Sequence, residues 1–105
     1  SLRAGVTGLA KTMSIEAGPF IVTVNCVLPG YTRTDRLVDL AEAQAGRSDA
    51  SVEDVYGAWE DQVPMARLGE PEELAALTAF LCSEHAGYIT GQSVAVDGGW
   101  IKGLF

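Results

Sequence analysis

Apolar residues recur at three- and four-residue intervals over the first 17 positions, which is the period of one face of an α-helix. This stripe is formed by Leu2, Val6, Leu9, Ala10, Met13 and Ala17. The pattern predicts a helix over residues 2–17 that ends at Gly18-Pro19. Gly5 and Gly8 each lower helix propensity by about 1 kcal/mol relative to alanine, so we expect another segment to pack closely against this face.

Residues 21–28 form a nearly continuous apolar run rich in β-branched side chains, which is typical of a parallel strand buried on both faces. Pro29-Gly30 ends this strand because proline cannot donate to a β-ladder and glycine permits a tight turn. Residues 93–96 predict a second strand, followed by a turn at Asp97-Gly-Gly. Two strands rarely form a stable sheet alone, so we expect further strands outside this chain.

The stretch between these strands is polar, acidic and helical in propensity. It predicts helices near residues 35–45 and 52–62, separated by a break at 46–49, and Ser51 and Asp54 have the spacing of a capping box. Another helix begins at Pro71, with proline at its first position and acids in its first turn. This order of helices and strands is typical of a layered α/β structure.

Length, net charge and cysteine spacing disfavour several classes of function for this chain. The 105 residues suit one small domain or part of a larger one, and the net charge of -7 disfavours binding to nucleic acid. No apolar run approaches the roughly 20 residues of a membrane span. Cys26, Cys82 and His85 lack the spacing of metal ligands, so we expect no metal site and two buried free thiols, as in a cytoplasmic protein.

Four motifs occur in one order: VNCVLPG at 24–30, TRTD at 32–35, RLGEPEELA at 67–75 and YITGQSVAVDGG at 88–99. Together they resemble the C-terminal part of the short-chain dehydrogenase/reductase family, and most closely its 3-oxoacyl-acyl-carrier-protein reductase-like members. The resemblance implies an α/β fold, the C-terminal portion of a Rossmann-type doubly wound parallel sheet. Residues 1–105 would then be part of one domain whose N-terminal cofactor-binding half lies outside this chain, with about 31–66 a helical insertion that covers the substrate.

The function implied by this resemblance is hydride transfer between NADP or NAD and a small-molecule carbonyl or hydroxyl substrate, such as a 3-oxoacyl thioester of fatty acid metabolism. The family also leads us to expect a cytoplasmic homodimer or homotetramer. The phosphate-binding glycine loop and the catalytic serine of the family do not occur in these 105 residues. We therefore expect this chain alone to be inactive.

Arg3 occupies the position of the family's catalytic lysine, which lowers the pKa of a tyrosine four residues earlier and binds the nicotinamide ribose. That tyrosine would precede residue 1. Arginine keeps the positive charge but is effectively never deprotonated, so it could support the electrostatic role and not a proton relay. The alternative is that Arg3 is a helix residue that pairs with an acid.

The turn after the first strand carries the remaining site residues. By resemblance, Pro29 and Gly30 approach the nicotinamide, the backbone of Thr32 meets its carboxamide, and the hydroxyl of Thr34 reaches the pyrophosphate. Pro29 and Gly30 also suit any tight turn, and Thr34 could cap the next helix. The acyl substrate would be lined by Tyr31, Leu37, Tyr56, Trp59 and Met65, although amphipathic helix packing explains these residues nearly as well.

Two other functions fit the sequence. One is a dehydrogenase-like protein that binds nucleotide or oligomerises without catalysis, which the arginine at position 3 favours. The other is a self-standing interaction domain that dimerises to complete its sheet. Antiparallel pairing of residues 21–28 with residues 93–96 would contradict the dehydrogenase interpretation, because that fold pairs these strands in parallel.

Overall fold

The computed structural model describes the backbone of residues 2–100 and the side chains of residues 4–100. Within residues 2–100, four α-helices and two β-strands follow one another, with short 3₁₀ turns at Gly18–Phe20 and Glu84–Ala86. The elements are α1 (Leu2–Ala17), β1 (Cys26–Pro29), α2 (Asp35–Ser48), α3 (Val52–Gln62), α4 (Pro71–Leu81) and β2 (Ser93–Val96).

The described residues form two compact units. The first contains residues 2–28 and 75–95, and the second contains residues 29–74 and 96–100. The division falls near the end of each strand, so the turn that follows β1 belongs to the second unit together with α2 and α3.

The two strands pair in parallel. In the first unit the Gly91 N–H donates to the Val24 carbonyl at 2.7 Å, and the Cys26 N–H donates to the Gln92 carbonyl at 2.8 Å. Residue numbers therefore rise together along both partners, which is the pattern of a parallel ladder. The antiparallel pairing that would have contradicted the dehydrogenase interpretation does not occur between these strands.

The predicted start of the first strand is wrong. Pairing begins near Val24, and β1 proper starts at Cys26 rather than at Ile21. Ile21 instead ends the preceding 3₁₀ turn in a left-handed conformation with φ 61°, which cannot continue into a β-ladder. Its side chain is 90% exposed, and Val22 is also exposed. Burial on both faces needs neighbouring elements, and β2 is the one strand paired with β1 among the described residues.

Helix α1 has the predicted bounds, but the expected close packing at its glycines is not found. A Cβ atom built on Gly5 or Gly8 would meet no described atom within 4 Å. Close approach occurs instead at Ser14, which is buried, because a Cβ on Gly91 would lie 2.7 Å from its Oγ. Gly91 also has φ 71°, a backbone conformation that favours glycine, and a side chain there would have to displace the Ser14 hydroxyl.

Helices α2 and α3 enclose the core of the second unit. A cluster of buried side chains lies between them and the segment that precedes α4, and it consists of Ala41, Ala45, Val55, Trp59 and Leu68. Helix α2 continues through Gly46 to Ser48, so its predicted end near residue 45 is three residues too early. The break is confined to the last residue of the predicted 46–49, Asp49, whose φ is 57° and whose N–H donates to the Ala45 carbonyl. One glycine weakens a helix without ending it when flanking alanines are buried.

The predicted helix starts in this region are confirmed. The Ser51 hydroxyl accepts the Asp54 N–H at 3.1 Å, and the Asp54 carboxylate accepts the Ser51 N–H at 3.3 Å. This is a complete capping box with aspartate in the acidic position. Pro71 is the first residue of α4, as its sequence pattern predicts.

The two cysteines are more accessible than expected. Cys26 is partly buried, and Cys82, which follows the last residue of α4, is exposed. Across residues 2–100 no group of three or more His, Cys, Asp or Glu side chains gathers as a metal site. No helix in the same range is long and apolar enough to cross a bilayer.

Candidate functional site

The turn after β1 depends on close packing at Gly30. Its N–H donates to the Val96 carbonyl at 3.0 Å. A Cβ atom at this position would lie 2.6 Å from the Cβ and 2.9 Å from the Cα of Asp97. The Asp97 backbone lies too close to leave room for a side chain at position 30, so packing alone requires glycine there. Close packing against Asp97, rather than the conformational freedom of a tight turn, is therefore sufficient to explain the glycine. The contact of Pro29 and Gly30 with a cofactor remains a prediction.

Thr32 is held from both sides by an isolated parallel bridge to Gly69. The Gly69 N–H donates to the Tyr31 carbonyl at 2.8 Å, and the Arg33 N–H donates to the Gly69 carbonyl at 2.8 Å. Because successive backbone groups of an extended chain point in opposite directions, the Thr32 N–H is directed away from Gly69. Thr32 thus presents a fixed backbone donor of the kind that a carboxamide oxygen could accept.

Thr34 caps α2, which confirms one of its two predicted roles. Its backbone is extended, and its hydroxyl oxygen accepts the Leu37 N–H at 3.3 Å. A hydroxyl that accepts in this way still has its own proton to donate. Capping and donation to a phosphate oxygen are therefore compatible, and the N-terminus of α2 adds a favourable dipole for an anion.

The aromatic side chains predicted to line the substrate pack mainly on one another. The Tyr31 ring stacks on Trp59, with centroids 5.3 Å apart and planes 11° apart, and its centroid lies 5.0 Å from that of Trp100. Trp59 meets Tyr56 edge-on at 5.9 Å. Leu37 packs against the same core cluster, whereas Met65 is exposed. Packing explains most of these positions, and their contact with substrate stays a prediction.

A charged pair beside this turn was not predicted from the sequence. The Arg67 guanidinium donates to the two carboxylate oxygens of Glu73 at 2.7 and 2.8 Å, and one of these oxygens also accepts the Glu70 N–H at 3.0 Å. The hydrogen bond from Arg67, and after it that from Glu70, lowers the pKa of Glu73 from 4.5 to about 2. The motif at 67–75 contains both residues, but its spacing alone does not indicate that they pair.

A second unpredicted contact lies in the first unit. The Asn25 side chain donates to the Ile89 carbonyl at 3.0 Å and accepts the Gln92 N–H at 3.1 Å. The Val24 N–H donates to the Thr90 hydroxyl at 3.0 Å. These bonds join the residues before β1 to the turn that leads into β2. The one signal in the sequence for these contacts was the polar side chain of Asn25 within the apolar run of residues 21–28.

Arg3 lies within α1 by its backbone, and its side chain is outside the described residues. Its contact with a nicotinamide ribose, or with an acid, therefore remains a prediction.

Comparison with known proteins finds similarity over nearly the whole chain. Residues 1–101 match the family described as enoyl-(acyl carrier protein) reductase. The fold is also that of a short chain dehydrogenase family protein from Francisella tularensis subsp. tularensis SCHU S4, with a TM-score of 0.89 at 27% identity. That similarity covers 92% of this chain and 40% of the solved one. The chain belongs to the short-chain dehydrogenase/reductase family.

Two curated relatives show which dehydrogenases it is similar to. The NADPH-dependent reductase BacG of Bacillus subtilis is 39% identical, over 98% of this chain and 40% of its own length. The 3-oxoacyl-[acyl-carrier-protein] reductase FabG of Aquifex aeolicus is 38% identical, over 92% of this chain and 35% of its own length. The chain thus spans about two fifths or less of these short-chain reductases.

This membership confirms the predicted fold class. The parallel pair of β1 and β2, with its helices, is the C-terminal portion of a Rossmann-type sheet as short-chain dehydrogenases build it. The likeness to 3-oxoacyl-acyl-carrier-protein reductases is confirmed as well.

Proposed function

We propose that the protein containing this chain is an NAD(P)-dependent oxidoreductase that moves a hydride between nicotinamide and a carbonyl or hydroxyl carbon. The observation that carries the proposal is the turn at residues 29–34, which follows the carboxyl end of a parallel strand. It presents the Thr32 N–H and the Thr34 hydroxyl two residues apart. In open α/β sheets, ligands bind at the carboxyl ends of the strands.

The residues of this turn would bind and orient the dinucleotide. Thr32 would donate its N–H to the carboxamide oxygen, while Thr34 would donate its hydroxyl proton to a pyrophosphate oxygen beside the N-terminus of α2. Pro29 and Gly30 would bring the backbone close to the nicotinamide ring, which supplies or accepts the hydride when bound. Both donors suit the dinucleotide, since neither carries a negative charge that its phosphates would repel.

Arg3 would contribute a permanent positive charge near the ribose and the reacting oxygen. Such a charge lowers the pKa of a nearby tyrosine, which eases proton transfer to or from the carbonyl oxygen. An arginine cannot itself relay the proton. Tyr31 would contact the substrate, and the helices of residues 31–66 would cover it.

We favour NADP as the cofactor and a 3-oxoacyl thioester as the substrate. Support comes from BacG, which is named as NADPH-dependent, and from the FabG reductases, which are named for 3-oxoacyl-[acyl-carrier-protein]. We further propose that the protein acts in the cytoplasm as a homodimer or homotetramer and binds no nucleic acid.

A second candidate function is nucleotide binding without catalysis. It is favoured by the arginine at position 3, where the family's active members have lysine. The fold and the turn at residues 29–34 would be retained under this alternative. Dinucleotide binding would then occur without turnover.

The test uses the product of the gene's full reading frame. NADPH and NADH binding is measured by fluorescence titration, and turnover is measured from the absorbance of the reduced nicotinamide with a 3-oxoacyl thioester and a panel of other ketones. We expect NADPH binding and reduction of at least one carbonyl compound. Binding without turnover, together with no recovery in Arg3→Lys, would support the non-catalytic alternative. No binding of either dinucleotide would overturn both functions.

A further inference from the structure

One ion pair, between Arg67 and Glu73, joins the segment before α4 to the first turn of that helix. Arg67 meets both carboxylate oxygens of Glu73, and the same guanidinium donates to the Leu68 carbonyl at 3.2 Å. Glu73 also accepts the Glu70 N–H at 3.0 Å. We call these four residues, Arg67, Leu68, Glu70 and Glu73, the clamp. Its bonds fix the backbone on both sides of Gly69.

Gly69 in turn fixes the backbone around Thr32. It accepts the Arg33 N–H and donates to the Tyr31 carbonyl, each at 2.8 Å. The Arg33 side chain adds a second link, because its Nε lies 3.4 Å from a carboxylate oxygen of Glu70. Gly69 has no side chain with which to pack, so its backbone groups are held in direction by these two hydrogen bonds and by the clamp on either side of it.

We propose, on the basis of the proposed function, that Arg67 and Glu73 are positioning residues for the nicotinamide cofactor. They hold Gly69 so that its bridge to Tyr31 and Arg33 aims the Thr32 N–H at the carboxamide. Neither side chain touches the cofactor. Loss of the ion pair lets residues 67–70 move, and the bridge then no longer fixes one orientation of the Thr32 donor.

The exposure of the pair separates this role from simple stabilisation. The side chains of Arg67 and Glu73 are 53% and 43% exposed. Ion pairs at such positions contribute little to the free energy of unfolding, because water screens them. Positioning is different, since a small displacement of a donor weakens a hydrogen bond steeply. Cofactor affinity should therefore respond more than stability does.

Glu73→Gln is the central variant, and Glu72→Gln is its matched control. Both remove one negative charge from the first turn of α4, but Glu72 forms neither of the two ion pairs found in the described residues. Arg67→Ala and the Arg67→Ala/Glu73→Gln double variant complete a cycle. Arg67→Lys keeps the charge and gives up the forked geometry.

The experiment measures the NADPH Kd, the KM for the carbonyl substrate and kcat for the full reading-frame product. We expect Glu73→Gln to weaken NADPH binding on the order of tenfold, the effect of losing about one charged hydrogen bond. The double variant should bind no more weakly than the weaker single variant, and Arg67→Lys should lie between wild type and Arg67→Ala. Substrate KM should stay unchanged, as should the NADPH Kd of Glu72→Gln.

Wild-type NADPH affinity in Glu73→Gln, or an equal loss in Glu72→Gln, overturns the positioning role and leaves the proposed function intact. If Glu73→Gln fails to fold by circular dichroism, Arg67→Lys carries the test, and wild-type affinity in it overturns the role. Wild-type protein that binds no dinucleotide overturns the proposed function and this role together.

Discussion

Ile21 adopts a backbone conformation that its own side chain opposes. At φ 61° its Cβ lies too close to the neighbouring carbonyl, and branching at Cβ makes this region costlier than for most residues. The N–H of Ile21 donates to Gly18 at 2.9 Å, which closes the turn after α1. The hydrogen bond and the direction of the chain therefore hold Ile21 in a strained conformation. Because its side chain is exposed, burial of apolar surface does not offset this strain.

We predict that Ile21→Asn stabilises the protein by about 1 kcal/mol, since asparagine tolerates the left-handed region. Removing an isoleucine that is 90% exposed in this chain loses little packing. Urea unfolding of both proteins measures the difference, and Ile21→Val, which stays β-branched, should show no gain. A loss of stability in Ile21→Asn would mean that the side chain is covered in the full-length protein.

Thr34 combines a structural role with a proposed binding role, and one substitution separates them. Thr34→Asp keeps a good N-cap for α2, so the free energy of unfolding should be unchanged within about 0.5 kcal/mol. Its carboxylate would repel the dinucleotide pyrophosphate, so NADPH affinity should fall at least about tenfold. Thr34→Ser keeps both the cap and the donor and serves as the control. Wild-type NADPH binding by Thr34→Asp would remove the pyrophosphate contact from the account.

At the scale of elements, local signals predicted most of the secondary structure. Helix α1, the Ser51 capping box, the Pro71 start of α4 and strand β2 are each specified by residues adjacent in sequence. The start of β1 was not predictable, because its apolar run looks like strand while the 3₁₀ turn before it sets a left-handed residue at position 21.

The candidate site likewise has features that the sequence could predict and features that it could not. The turn at Pro29-Gly30 and the cap at Thr34 are local and could be predicted. The bridge from Thr32 to Gly69 and the two bonds of Asn25 join residues far apart in the chain. No periodicity or spacing in the sequence encodes such pairings. The reason glycine occupies position 30 likewise depends on Asp97, which lies on the other strand's turn.

The ion pair of Arg67 and Glu73 should make the free energy of unfolding depend on pH. The pKa of Glu73 is about 2 in the fold and 4.5 ordinarily, so folding favours its charged form. Its stabilising contribution is complete above pH 4.5 and is lost as the pH falls towards 2. The stability difference between wild type and Glu73→Gln, which is small because both side chains are about half exposed, should therefore shrink across this window when it is measured by urea unfolding. A difference that stays constant down to pH 2 would contradict the lowered pKa.

At the scale of the whole molecule, α1 presents an apolar surface that the described residues do not cover. Val6, Leu9 and Met13 are 54%, 61% and 47% exposed, and no described atom would meet a Cβ on Gly5 or Gly8. Exposed apolar stripes of this kind mark interaction surfaces.

We predict that Leu9→Glu prevents the proposed homo-oligomerisation, because a charge would be buried at the contact between subunits. Light scattering after size exclusion should show a smaller species with unchanged circular dichroism. Ala4→Glu places the same charge on an exposed position of α1 that lies on nearly the opposite side of the helix from Leu9, and it is the control. An unchanged oligomer in Leu9→Glu would show that this stripe is covered by another part of the same protein.

The central claim is that the turn at residues 29–34 binds a nicotinamide dinucleotide. A crystal structure of the full reading-frame product with NADPH tests it most directly. We expect the Thr32 N–H within hydrogen-bond distance of the carboxamide oxygen and the Thr34 hydroxyl within the same distance of a pyrophosphate oxygen. NADPH bound with neither contact would contradict the account.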